Sequence, residues 1–123
     1  MTVTLLEMHR VEKPWGRHDL WPGFENPPED GEPIGEVWYK SPGDDTPDLL
    51  VKYLFTSEKL SVQVHPSQAD ALPGEAGKEE CWLVLDADPG AQLAIGFERE
   101  VTPAEIAAAA QDGTIEALLT WHP

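Results

Sequence analysis

Sulfur and positive charge are both scarce in this chain. It has one cysteine, Cys81, so an internal disulfide is excluded and a reducing cytoplasm is the expected compartment. Only 8 Lys and Arg stand against 23 Asp and Glu, giving a formal net charge of −15. Nucleic acid and anionic membranes need a cationic face, so neither is an expected partner. Apolar runs all fall well short of the ~20 residues needed to cross a bilayer. The N-terminus has no basic segment followed by an apolar one, so it does not read as a secretion signal. Glycine-rich phosphate loops are missing too.

What is present suits a globular protein. With 123 residues, of which 41% are hydrophobic, the chain is expected to form a single domain over 1–123 with one core. Residues 3–12 have β character, and Lys13-Pro14-Trp15-Gly16-Arg17 reads as a turn that breaks the pattern, with Trp15 as a packing residue. Leu20 to Pro33, rich in Pro, Gly and acid, reads as a loop, and Ile34 to Lys40 as a short strand. Ser41-Pro42-Gly43-Asp44-Asp45-Thr46-Pro47 carries several turn residues, and Leu49 to Thr56 is apolar nearly throughout, as a buried strand would be. Alternation then predicts strands at Lys59–Pro66 and Lys78–Leu85, with a short helical piece at Ser67–Leu72 between them. Asp86–Gly90 is a hairpin-like turn into a strand from Ala91 to Phe97. Thr102-Pro103-Ala104-Glu105 is a capping box with proline at the first helical position, and Gly113 suits the C-terminal cap. Thr114–Leu119 is expected as a second, short helix. About six strands followed by a helix pair point to a mainly antiparallel β domain.

The chemistry-bearing residues gather on the two central strands. Lys59, Ser61, Gln63 and His65 alternate with Leu60, Val62 and Val64, and Pro66 ends the ladder with His65 at its lip. Lys78, Glu80 and Trp82 share a face of the next strand, which leaves Cys81 to point into a core with Leu83 and Leu85. Ligands two apart on a strand lie ~7 Å apart along the chain, close enough to chelate one ion with help from a neighbouring strand. His with Glu is a common zinc pair, and a Gln carbonyl oxygen can also coordinate. Spacing alone leaves two readings open, since polar residues on the outer face of a half-exposed sheet give the same pattern. Nucleophilic catalysis finds little support, because Ser61 lacks a glycine elbow and His9 and His18 have no acidic partner at an informative spacing.

Combined motifs go further than any one of them. Ser61-Val62-Gln63-Val64-His65-Pro66, Gly77-Lys78-Glu79-Glu80-Cys81-Trp82 and Ala87-Asp88-Pro89-Gly90-Ala91, in that order, closely resemble the zinc-dependent mannose-6-phosphate isomerases of the cupin superfamily. Lys13-Pro14-Trp15-Gly16, Leu50-Val51-Lys52 and Val101-Thr102-Pro103-Ala104-Glu105 after Gly96-Phe97 match that family as well. The resemblance implies a cupin-like antiparallel β-barrel, here incomplete, with a small C-terminal helical segment. It implies one zinc per chain held by Gln63, His65 and Glu80, with Ser61, Lys52 and Lys78 in the sugar-phosphate pocket. Lys78 would be the catalytic group, by charge positioning or in proton transfer. The implied reaction interconverts mannose 6-phosphate and fructose 6-phosphate through a cis-enediol. The family's further His ligand and an active-site arginine lie on segments with no match here, and His122 lacks their context. The chain therefore reads as the N-terminal portion of such an enzyme, with a non-catalytic metal- or sugar-binding cupin-like module as the alternative. An incomplete barrel is expected to expose apolar surface and a strand edge, and so to form a homodimer or exchange strands.

Overall fold

A computed structural model describes residues 3–43 and 49–123. The chain divides into two compact units, Met1–Ser61 and Val62–Pro123. The architecture is mainly β, with two open antiparallel sheets and one α-helix, and no closed barrel among the described residues. It is consistent with an incomplete cupin-like β fold.

The first unit is a three-stranded sheet in the order β1-β2-β3, made of β1 (Glu7–Arg17), β2 (Ile34–Lys40) and β3 (Val51–Leu54). Strand β1 starts later than expected and runs straight through the anticipated turn. Its register explains how: Glu12 and Arg17 both align with Ile34, so residues 13–16 form a bulge. Proline is tolerated at a bulge on an edge strand, because no ladder hydrogen bond is asked of it there. The bulge closes tightly on β2. A Cβ on Gly35 would lie 2.5 Å from the Lys13 side chain and 2.8 Å from the Trp15 ring, so Trp15 does pack, and it packs on bare backbone. Trp15 also accepts at its carbonyl from the Ser57 amide at 2.9 Å, which ties the bulge to the chain beyond β3.

The core of this unit is Leu20, Ile34, Val37 and Phe55, with Phe24, Tyr39 and Tyr53 against it. Leu20 and Phe24 come from the expected loop, which is irregular yet contributes apolar anchors. Phe24 meets Tyr53 and Phe55 edge-on at ring-centroid distances of 4.9 and 5.2 Å, a favoured aromatic geometry. The expected turn at Ser41–Pro47 falls largely on residues 44–48, which lie outside the described residues.

In the second unit, β4 (Leu93–Phe97) pairs antiparallel with β5 (Leu119–His122). Between them, α1 (Pro103–Asp112) has the expected capping box in full: Glu105 N–H donates to Thr102 Oγ1 at 3.2 Å, and Thr102 N–H donates to Glu105 Oε2 at 2.8 Å. Gly113 closes the helix in the left-handed region at φ 80°. The second expected helix is a single 3₁₀ turn, Ile115–Leu118. No described helix is long and apolar enough to cross a membrane.

The two strands expected at Lys59–Pro66 and Lys78–Leu85 are not strands here. Both stretches lack a ladder partner among the described residues. Alternation is a property of a sequence, whereas a strand also needs a second backbone to bond to. Accordingly Val64 and Leu83 are each 81% exposed, and Cys81, expected in a core, is exposed.

Candidate metal and anion site

Although no ladder joins them, the two extended stretches are fastened at one point. The Lys78 amide donates to the Pro66 carbonyl at 3.0 Å, and the Gly77 amide donates to Gln68 Oε1 at 3.0 Å. Contact is possible only because residue 77 has no side chain: a Cβ there would lie 2.3 Å from the Gln68 nitrogen and 2.6 Å from the Ser67 carbonyl carbon. Ser67 starts a single turn, its carbonyl accepting from the Asp70 and Ala71 amides and its hydroxyl donating to Asp70 Oδ2 at 2.7 Å. This turn reverses the chain just after His65 and Pro66.

The fastening brings His65, Lys78 and Glu80 to one corner, on the wall of an open cleft of about 360 Å³ that Pro66, Ser67 and Glu79 also line. Lys78 Nζ lies 3.0 Å from Glu80 Oε2 and 3.4 Å from His65 Nε2, and that Nε2 is 3.6 Å from the same Oε2. The other Glu80 oxygen, Oε1, accepts from the Trp82 indole N–H at 2.6 Å. That hydrogen bond is the largest cause holding the Glu80 carboxyl below its ordinary range. Partial burial opposes it, while the Lys78 ammonium and His65 add to the lowering.

The donor chemistry suits a divalent ion. Zinc bonds of about 2.0–2.2 Å to nitrogen and oxygen at a tetrahedral angle put the two donor atoms ~3.3–3.5 Å apart, close to the 3.6 Å between His65 Nε2 and Glu80 Oε2. Both atoms are already turned toward one positive group, the Lys78 ammonium, which is half-exposed on a flexible stem. Gln63 lies two residues upstream on the same extended stretch and is exposed. Among the described residues no three His, Cys, Asp or Glu side chains gather in a way that could hold a metal.

Ser61 and Lys52 fall in the first unit. Lys52, on β3, is cross-strand from Trp38 on β2 and lies 3.8 Å from Glu36 Oε1. Glu36 is the one buried charged residue among those described, and its second oxygen accepts from the Trp38 indole. The sequence reading missed this pairing and also the bond from Trp82 to Glu80. For both, the signal was the same, a Trp and a Glu two residues apart in a stretch of strand-like alternation.

The described residues thus form a mainly β fold with a corner that groups an imidazole, an ammonium and a carboxylate. Comparison with curated proteins finds similarity to mannose-6-phosphate isomerases. The chain is 54% identical over 52 residues to the mannose-6-phosphate isomerase of Streptococcus mutans, a match covering 41% of this chain and 16% of that protein. It is 36% identical over 80 residues to the probable mannose-6-phosphate isomerase GmuF of Bacillus subtilis, covering 58% of this chain and 25% of the relative. The putative mannose-6-phosphate isomerase YvyI of B. subtilis is 31% identical over 104 residues, covering 76% of this chain and 32% of the relative. The chain is thus similar to mannose-6-phosphate isomerases, as its motifs imply, and spans between about a sixth and a third of the relatives' length. No family model and no solved structure matches it.

Proposed function

We propose that residues 1–123 form the N-terminal, metal-binding portion of a cupin-like mannose-6-phosphate isomerase, acting in the cytoplasm on a sugar phosphate. The observation that carries this reading is the convergence of His65 Nε2 and Glu80 Oε2 at 3.6 Å on motifs that resemble the isomerase family. His65, Glu80 and Gln63 would hold one zinc per chain. Zinc, when bound, would supply Lewis-acid polarisation of the sugar carbonyl, making the neighbouring C–H acidic. Lys78 supplies a fixed positive charge beside the metal ligands, suited to an enediolate oxygen or to the phosphate. We favour charge positioning over base catalysis for Lys78, since an ammonium must lose a proton before accepting one.

Metal analysis of the purified chain, alongside Gln63→Ala, His65→Ala and Glu80→Ala, tests the reading. One zinc per wild-type chain, lost in the His65 and Glu80 variants, is the expected result; metal content indifferent to all three changes would defeat it. A coupled assay with mannose 6-phosphate then tests turnover. A second reading is a non-catalytic metal- or sugar-binding module. It expects zinc or sugar-phosphate binding without isomerisation. Exposed Val64, Leu83 and Val84 also support self-association of the chain, which light scattering would register as a mass of twice the monomer.

A further inference from the structure

Lys78, Glu80 and Trp82 alternate on one face of an extended stretch, and the proposed function gives tasks to the first two only. Trp82 is not held where it is by a core, because it is 48% exposed. Its indole N–H nevertheless reaches Glu80 Oε1 at 2.6 Å. Indole nitrogen is a donor only, so the direction of that bond is unambiguous. Lys78 and His65 both approach the other oxygen, Oε2, at 3.0 and 3.6 Å. The carboxylate is therefore divided, one oxygen for the indole and one for the corner. The terminal torsion of a glutamate is broad, and a group with no fixed donor swings its plane freely. A donor on one oxygen removes much of that freedom before any ligand arrives. Carboxylates that ligate metals are themselves hydrogen-bonded as a rule, and losing such a partner costs affinity.

The geometry points to Trp82 as a positioning residue for Glu80: its N–H holds Oε1 and thereby presents Oε2 to the side where His65 would share a divalent metal. This role rests on the metal reading proposed above.

The test is calorimetric titration of zinc into the full 123-residue chain. It compares wild type, Glu80→Ala, Trp82→Phe, Trp121→Phe and a chain carrying the benzothiophene isostere of tryptophan at position 82. The isostere keeps the ring's shape and removes only the N–H. Trp121, whose indole donates to the Glu116 carbonyl on another part of the chain, controls for the loss of any tryptophan. Both changes at position 82 are expected to weaken zinc binding by roughly 10- to 100-fold, with Trp121→Phe unchanged. If Trp82→Phe does not fold, the isostere carries the test. Zinc binding that Glu80→Ala abolishes but the isostere leaves at the wild-type level overturns the positioning role alone. A wild-type chain that binds no zinc, or a Glu80→Ala chain that binds it unchanged, overturns the metal reading and this role with it.

Discussion

The sheet of the first unit and the stretches Lys59–Pro66 and Lys78–Leu85 are all expected as strands and meet opposite fates. On β2, Val37 alternates with Glu36 and Trp38, has a strand on either side, and is 1% exposed. Val64 alternates with Gln63 and His65 in the same manner, has no ladder partner among the described residues, and is 81% exposed. The contrast teaches that alternation states which side chains share a face and leaves unsaid whether a second backbone is there. It also separates two sources of order. The sheet is ordered by burial, and the His65–Glu80 corner by a few polar contacts around one glycine.

The strongest way to test this division is to remove burial where it is said to matter. Phe55→Ala, which empties the ring cluster of the first unit, is expected to lower stability by ~3–5 kcal/mol in urea unfolding. Gly77→Ala should act differently. Its new Cβ meets the backbone of Ser67 and Gln68, prying the two stretches apart. Zinc affinity should then fall roughly tenfold, as for loss of a supporting contact, while the melting midpoint of the first unit's sheet stays in place. In the second unit, Thr102→Ala removes the helix cap of α1 and should cost ~1 kcal/mol. The same cap makes the helix acid-sensitive. The Thr102 amide, Arg99 and the Thr102 hydroxyl lower the Glu105 carboxyl from 4.5 to about 2. A depressed carboxylate contributes stability that is complete above its unfolded value, so helicity should be lost as pH falls from about 4.5 toward 2. Far-UV circular dichroism against pH would follow it, and Glu105→Gln should flatten that profile. The smallest effect is expected at Leu83→Ala, within ~0.5 kcal/mol of wild type, because the side chain is already in water. A large loss there would erase the contrast with Phe55.

How much was legible in the sequence follows the same line. Helix α1 could be read in full, because Thr102, Pro103, Glu105 and Gly113 act within a few residues of each other. Strands β2, β3 and β4 were found to within a few residues at their ends. The run of β1 through Pro14 was not, since it depends on a bulge opposite Ile34, about twenty residues away, and on the missing Cβ of Gly35. Likewise Thr120, Trp121 and His122, which offered no strand signal of their own, form β5 only because Leu93 and Ala94 pair with them. At the site, the shared face of Lys78, Glu80 and Trp82 was legible and is realised through hydrogen bonds to Glu80. Cys81 was misjudged because the opposite face was assumed to have a core to enter.

The fastening at Gly77 has a kinetic consequence. Two hydrogen bonds with little apolar contact around them can open without disturbing a packed sheet. In hydrogen exchange, the Gly77 and Lys78 amides should therefore report local openings of the His65–Glu80 corner, at rates independent of denaturant. The Phe55 amide, bonded to the Gly35 carbonyl inside the first unit, should exchange only when that sheet unfolds. Two clocks would then run in one small chain, and the faster one would time access to the corner where the chemistry is proposed.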